Sequence, residues 1–121
     1  MKKKKILIMG LPGSGKTYLA SKITKKINAD WLNADKIRGK YNDWDFSNSG
    51  IIRQVKRMKE LAEKSKKKYV VADFICPLKK QLKIFDPDLL IWVDTIKVSR
   101  YPRINKIFQT PKNFDIRVVS K

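Results

Sequence analysis

Gly10-Leu11-Pro12-Gly13-Ser14-Gly15-Lys16-Thr17 is the stretch that decides how the rest of this chain is read. It fits G-x-x-x-x-G-K-[ST], a loop whose backbone N–H groups wrap a phosphate. Its glycines let those groups turn inward without a side chain in the way. Ile6-Leu7-Ile8-Met9 before it is a short apolar run, as a buried parallel strand requires. Tyr18 to Ile27 after it reads as a helix, with Leu19, Ile23 and Ile27 at helical spacing. That helix aims the positive end of its dipole at the same anion. Lys16 is expected to reach the β- and γ-phosphates, and the Thr17 hydroxyl to ligate Mg²⁺. Residues Gly10 to Thr17 therefore point to a nucleoside triphosphate with Mg²⁺, without specifying where a phosphoryl group goes.

With 121 residues, the chain reads as one domain, 1–121, small for a phosphate-loop protein. The hydrophobic fraction of 42% suffices for a single core and leaves no room for a separate substrate domain. The net charge is +18, from 29 Lys+Arg against 11 Asp+Glu. Such an excess draws polyanions, so nucleic acid stands as a partner on charge alone. Scattered runs such as Lys2 to Lys5 and Lys64 to Lys68, with abundant Ile and Asn, fit a solvated surface produced by coding bias equally well. There is no histidine, which excludes a histidine base, a His-containing zinc site and a serine–histidine triad. Proton transfer then falls to a carboxylate, a lysine or water. Cys76 is the single cysteine, so no internal disulfide forms, and a reducing cytoplasm is expected. The basic start is followed by too short an apolar stretch for a signal peptide or a membrane span, and no membrane partner is expected. A homodimer stays open.

Strand and helix signals alternate, which predicts an α/β phosphate-loop fold: a parallel sheet of about five strands with helices on both faces. Strands are expected at Lys5–Met9, Asp30–Asn33 (ending at Asp35), Tyr69–Phe74, Leu89–Asp94 and Asp115–Val119. Helices are expected from Ser47, a plausible N-cap, to about Lys66, and from Pro77 toward Phe85. Asp86-Pro87-Asp88 reads as a turn, and Thr95 to Asn113 as polar and aperiodic. Ligands of such sheets lie beyond the carboxyl ends of the strands. Asp35, Asp73 and Asp94 are expected to cluster there.

Asp35 and Arg38 form a D-x-x-R pair just past the second strand. The carboxylate suits a proton acceptor or a water-mediated Mg²⁺ contact, and the arginine suits a phosphate or sulfate fork. Asp73 ends an apolar strand where an acid supports hydrated Mg²⁺. Phe46 and Phe74 suit the walls around a planar base. Arg100 and Arg103 follow the fourth strand, where an arginine on a lid neutralises a transferring phosphoryl group. Each residue also has an ordinary structural role: cap, strand end, core ring or surface charge.

The order G-L-P-G-S-G-K-T, Leu32-Asn33-Ala34-Asp35-Lys36-Ile37-Arg38, Asp45-Phe46-Ser47, Asp73-Phe74-Ile75-Cys76-Pro77 and Trp92-Val93-Asp94-Thr95 resembles the adenylylsulfate kinases over most of the chain. The resemblance implies the reaction ATP + adenylyl sulfate → ADP + 3′-phosphoadenylyl sulfate. It implies that Asp35 sits by the acceptor hydroxyl and that Arg38 holds the substrate. It also implies that Phe46 and Phe74, with Ile75 beside the latter, enclose the substrate adenine. Thr110-Pro111-Lys112-Asn113 resembles the stretch that borders the ATP base. The chain departs from the family pattern at several points. Asn33 stands where the family has a first Asp, and Asp73 where it has a serine. Ile51 and Gln54 stand where it has an Arg and an Asn, with Arg53 nearby as the substitute. The lid after Asp94-Thr95 is short, leaving Arg100 or Arg103 to close over the γ-phosphate. Two other readings remain open: a polynucleotide 5′-kinase or nucleotide kinase, and a module that binds ATP without transferring phosphate.

Overall fold

The computed structural model describes residues 3–120. Five strands, β1 (Lys4–Met9), β2 (Asp30–Asn33), β3 (Tyr69–Asp73), β4 (Leu89–Val93) and β5 (Ile116–Val118), form one sheet in the order β2-β3-β1-β4-β5. Each neighbouring pair is parallel. Five helices connect or follow them: α1 (Lys16–Ile27), α2 (Ala34–Tyr41), α3 (Asn48–Lys64), α4 (Lys79–Phe85) and α5 (Pro102–Ile107).

Side chains on a strand alternate between faces, and that alternation builds two cores. Ile6, Ile8, Val71, Ile91 and Val93 face Ala20, Leu19 and Ile23 of α1. Leu7, Met9, Val70, Ala72, Leu90 and Trp92 face Ile37 of α2, Val55 and Met58 of α3, and Phe85 of α4. Helices therefore cover both faces, and the inner strands read as continuous apolar runs because neither side meets water.

Most expected boundaries hold to within one or two residues, and the differences have local causes. β2 spans Asp30–Asn33 as expected, and the chain does not run on extended to Asp35 because the Asn33 side chain accepts from Lys36 N at 3.0 Å and caps α2. Asp35 consequently lies in the first turn of a helix that apolar periodicity did not signal. α4 starts two residues after Pro77, at Lys79. The stretch Thr95–Asn113 contains α5, begun by Pro102 at its first position. Ser47 is the N-cap of α3, accepting from Gly50 N. No helix among the described residues is long and apolar enough to cross a membrane.

Candidate active site

The alternation that builds the two cores also sorts the strand ends. Asp73 pairs in register with Asn33 of β2 and Ile8 of β1 and so points to the α1 face, where the phosphate loop turns into α1. Phe74, one residue on, points to the opposite face and packs edge-on against Phe85, with ring centroids 5.7 Å apart.

The loop itself is tightly folded. Gly13 and Gly15 have φ of 84° and 105°, the left-handed region that glycine tolerates. At Gly10 any Cβ would lie 2.5 Å from the Val93 carbonyl oxygen and 2.9 Å from Ser14 Oγ. Ser14 is fully buried, and its hydroxyl has no hydrogen-bond partner among the described residues. Thr95 Oγ1 donates to Ser14 O at 2.6 Å, tying the loop to the end of β4. Lys16 is buried, with Nζ donating to Leu11 O at 3.2 Å. Burial lowers its pKa from the ordinary lysine value, while the Asp73 and Asp35 carboxylates act in the opposite direction.

Asp73 is buried and accepts at both oxygens. Thr17 Oγ1 lies 3.4 Å from Oδ1, Trp31 Nε1 donates to Oδ2 at 2.6 Å, and Asn33 Nδ2 lies 3.2 Å from each oxygen. Among the described residues, no cluster of three or more acidic, cysteine or histidine side chains is placed to hold a metal. A Thr17 hydroxyl beside a single strand-end carboxylate, at the foot of a glycine cradle with an unpartnered serine hydroxyl, fits Mg²⁺. That ion is bound through one or two protein oxygens together with phosphates and water.

A cavity of about 600 Å³ opens in front of the loop. Pro12, Gly13, Lys16, Thr17 and Asp73 line its phosphate end. Asp35, Arg38, Phe46, Phe74 and Ile75 line the rest, together with Arg100 and Tyr101. Arg38 is buried and lies over the Phe46 ring, with Cζ 4.3 Å from its centroid. Its Nη1 donates to the carbonyls of Asp43 and Asp45 at 2.8 and 3.2 Å. Arg103 on α5 donates to the Phe46 carbonyl at 2.9 Å, joining the segment after β4 to the α2–α3 loop. Ser99 and Asn105 hold that segment through three mutual hydrogen bonds.

Four expected residues are placed elsewhere. Arg53 is bound to Asp43 and Asp45 outside the cavity. Hydrogen bonds from Arg53 and Arg57 hold Asp43 below the ordinary carboxylate range, and those from Ser47, with a smaller part from Arg53, hold Asp45 at about 2. Thr110 and Pro111 do not line the cavity; the residue before them, Gln109, is tied to the start of α4 through Pro77 O and Lys79 N. Asp94 does not join the carboxylates at the loop. It continues β4 alongside β5 and is neutralised by Arg117 at 2.6 Å and Lys97 at 3.1 Å. Of two further contributors, Trp31 had no motif to announce it and Gln54 was noted only as a departure from the family pattern. Trp31 and Gln54 reach the site, the first through Asp73 and the second by lining the cavity while donating to Ala34 O. For Trp31 only its position on β2, packed against the α1-side core, carried a signal.

The model of the adenylylsulphate kinase family matches residues 2–85. Among solved structures, an alanine variant of the APS kinase CysC of Mycobacterium tuberculosis superposes with a TM-score of 0.71 at 25% identity, covering 98% of this chain and 86% of that one. A sugar kinase from a Janibacter species gives 0.74 at 12% identity, covering 97% and 84%. A shikimate kinase from Aquifex aeolicus gives 0.67 at 14%, covering 95% and 85%. The last two share the fold. No curated protein matches the sequence.

Proposed function

The chain belongs to the adenylylsulphate kinase family of phosphate-loop kinases, and from that premise we propose that it transfers the γ-phosphoryl group of ATP to the 3′-hydroxyl of adenylyl sulfate. The observation that carries this reading is the convergence of the phosphate loop with Asp35, Arg38, Phe46 and Phe74 on one cavity. A loop alone implies a nucleotide. A loop facing a carboxylate, a guanidinium and two rings implies an acceptor with a hydroxyl, an anionic group and a planar base.

In this reading the loop amides and Lys16 hold the β- and γ-phosphates. Thr17 and Asp73 hold Mg²⁺, which when bound neutralises charge on those phosphates. Asp35, in the first turn of α2, accepts the proton of the attacking hydroxyl or orients it. Arg38 grips the acceptor's phosphosulfate, and its contacts to the Asp43 and Asp45 carbonyls hold the guanidinium in place for that task. Phe46 and Phe74 enclose the adenine. Arg100, exposed at the cavity rim, approaches the transferring group.

The test is steady-state kinetics with Mg²⁺-ATP and adenylyl sulfate. Phe46→Ala is expected to raise KM for adenylyl sulfate by roughly tenfold or more, because a base–aromatic stack contributes about 1–3 kcal/mol. KM for ATP should stay within about twofold. Absence of turnover in the wild type, or equal effects on both substrates, would contradict the assignment.

A further inference from the structure

Asn33 and Asp73 stand side by side at the ends of β2 and β3, in register, and both are buried. The orientation of the Asn33 amide is fixed by its neighbours. Its oxygen accepts from Lys36 N at 3.0 Å, so its nitrogen must face Asp73. Asp73 receives that nitrogen at 3.2 Å on both oxygens, the Trp31 indole on Oδ2 and the Thr17 hydroxyl on Oδ1. Four donor contacts use the acceptor capacity of one carboxylate. The pair thus consists of one amide and one carboxylate, with every polar atom satisfied and a single negative charge set beneath the phosphate loop.

We propose that Asn33 and Asp73 act as one cross-strand unit, in which the carboxylate serves the loop from either strand provided the amide stands on the other. The hydrogen-bond pattern allows the exchange. With Asp at position 33, one oxygen still accepts from Lys36 N and still caps α2, since aspartate caps as well as asparagine. The other oxygen then accepts from an amide nitrogen at position 73. The amide oxygen at position 73 accepts from Trp31, and the second hydrogen of the nitrogen meets Thr17 Oγ1. Each single change sets two like groups against each other. Asn33→Asp alone sets two carboxylates about 3.2 Å apart in a buried place. Asp73→Asn alone keeps an amide oxygen for Trp31 and Asn33 but sets its nitrogen about 3.2 Å from the Asn33 nitrogen, donor against donor, and removes the only charge of the pair. Asn33 and Trp31 are on this account positioning residues for the carboxylate that supports Mg²⁺. The metal part of the inference rests on the proposed function; the exchange of hydrogen bonds does not.

Four proteins decide it: wild type, Asn33→Asp, Asp73→Asn and the double variant Asn33→Asp/Asp73→Asn. Two readouts are taken: the thermal midpoint without nucleotide or metal, and the affinity for Mg²⁺-ATP by calorimetry. Each single variant is expected to unfold roughly 5 °C or more below wild type, and the double variant to regain most of the loss. Asp73→Asn is expected to weaken Mg²⁺-ATP about 10–100-fold, and the double variant to return to within about tenfold of wild type. A double variant that is no more stable than the weaker single, or that does not fold, overturns the unit. Recovery of stability without recovery of Mg²⁺-ATP affinity overturns its service to the loop. Wild type that fails to bind Mg²⁺-ATP at all speaks against the proposed function instead, and the thermal cycle still judges the hydrogen-bond exchange.

Discussion

Two glycines on neighbouring helices show how a single Cβ changes sign with its surroundings. Gly39 lies within α2, and a Cβ there would meet Trp44 at 3.7 Å, an ordinary contact. Gly39→Ala is expected to raise stability by about 0.5–1 kcal/mol, the difference in helix propensity. Gly50 sits in the first turn of α3 beneath the Asp45 backbone and carboxyl group, and a Cβ would run into both. There the overlap outweighs the propensity gain, and Gly50→Ala is expected to cost about 1–3 kcal/mol. Denaturant titration of the two variants separates the cases. Cys76 is a second residue-scale test. It is buried, and desolvation pushes its thiol up to about 12. At mild alkaline pH almost none is thiolate, so labelling by a disulfide reagent should be at least about 100-fold slower in the native protein than in denaturant. Comparable rates would mean that Cys76 is not held in this way.

The connections, more than the strands, separate expectation from structure at the scale of elements. β1, β3 and β4 were legible because strands covered on both faces must be apolar throughout. α2 and α5 were not: α2 has Asp35, Lys36 and Arg38 within two turns, and α5 is six residues long with none buried. Their helicity comes from an Asn33 cap and a Pro102 start, which are local signals without apolar periodicity. The α2–α3 loop was read only for Phe46 and the Ser47 cap. Its position depends on Asp43, which accepts from Arg53 and Arg57, and on Asp45, which accepts from Arg53. Both carboxyls lie below the ordinary value of 3.8, chiefly through hydrogen bonds from Arg53 and Arg57 to Asp43 and from Ser47 to Asp45. A depressed folded-state pKa contributes stability that is present above about pH 4 and lost as pH falls toward about 2. The thermal midpoint of wild type should therefore drop across that window, and that of Asp43→Asn should drop less. Parallel curves would show that the loop pairs contribute nothing to acid stability.

For the whole molecule, the order β2-β3-β1-β4-β5 places three strand ends around one phosphate loop, and this explains why residues far apart in sequence converge on one cavity. Lys16, Thr17, Asp35, Arg38, Phe46, Phe74 and Arg100 all reach the cavity because each follows a strand end or lies in the helix or loop next to one. The residues placed elsewhere fail for a common reason. Asp94 was assigned as a strand end, Arg53 as a neighbour of a family position and Thr110–Pro111 by resemblance, whereas ion pairs to Arg117 and Asp43 hold the first two and Gln109, before the third, is tied to the start of α4. The loop also makes the global stability responsive to nucleotide. Mg²⁺-ATP at about 100 times its Kd should stabilise the fold by about 2.7 kcal/mol, or roughly 10 °C in the thermal midpoint. Lys16→Ala should abolish the shift, and an equal shift in that variant would place the nucleotide elsewhere. The acceptor is the remaining and central claim. ADP release should be measured with Mg²⁺-ATP and adenylyl sulfate, beside AMP, CMP and a 5′-hydroxyl oligonucleotide, with Lys16→Ala as the blank. Turnover confined to adenylyl sulfate is the predicted result; turnover on a nucleotide or the oligonucleotide instead, or none on any acceptor despite bound ATP, would contradict it.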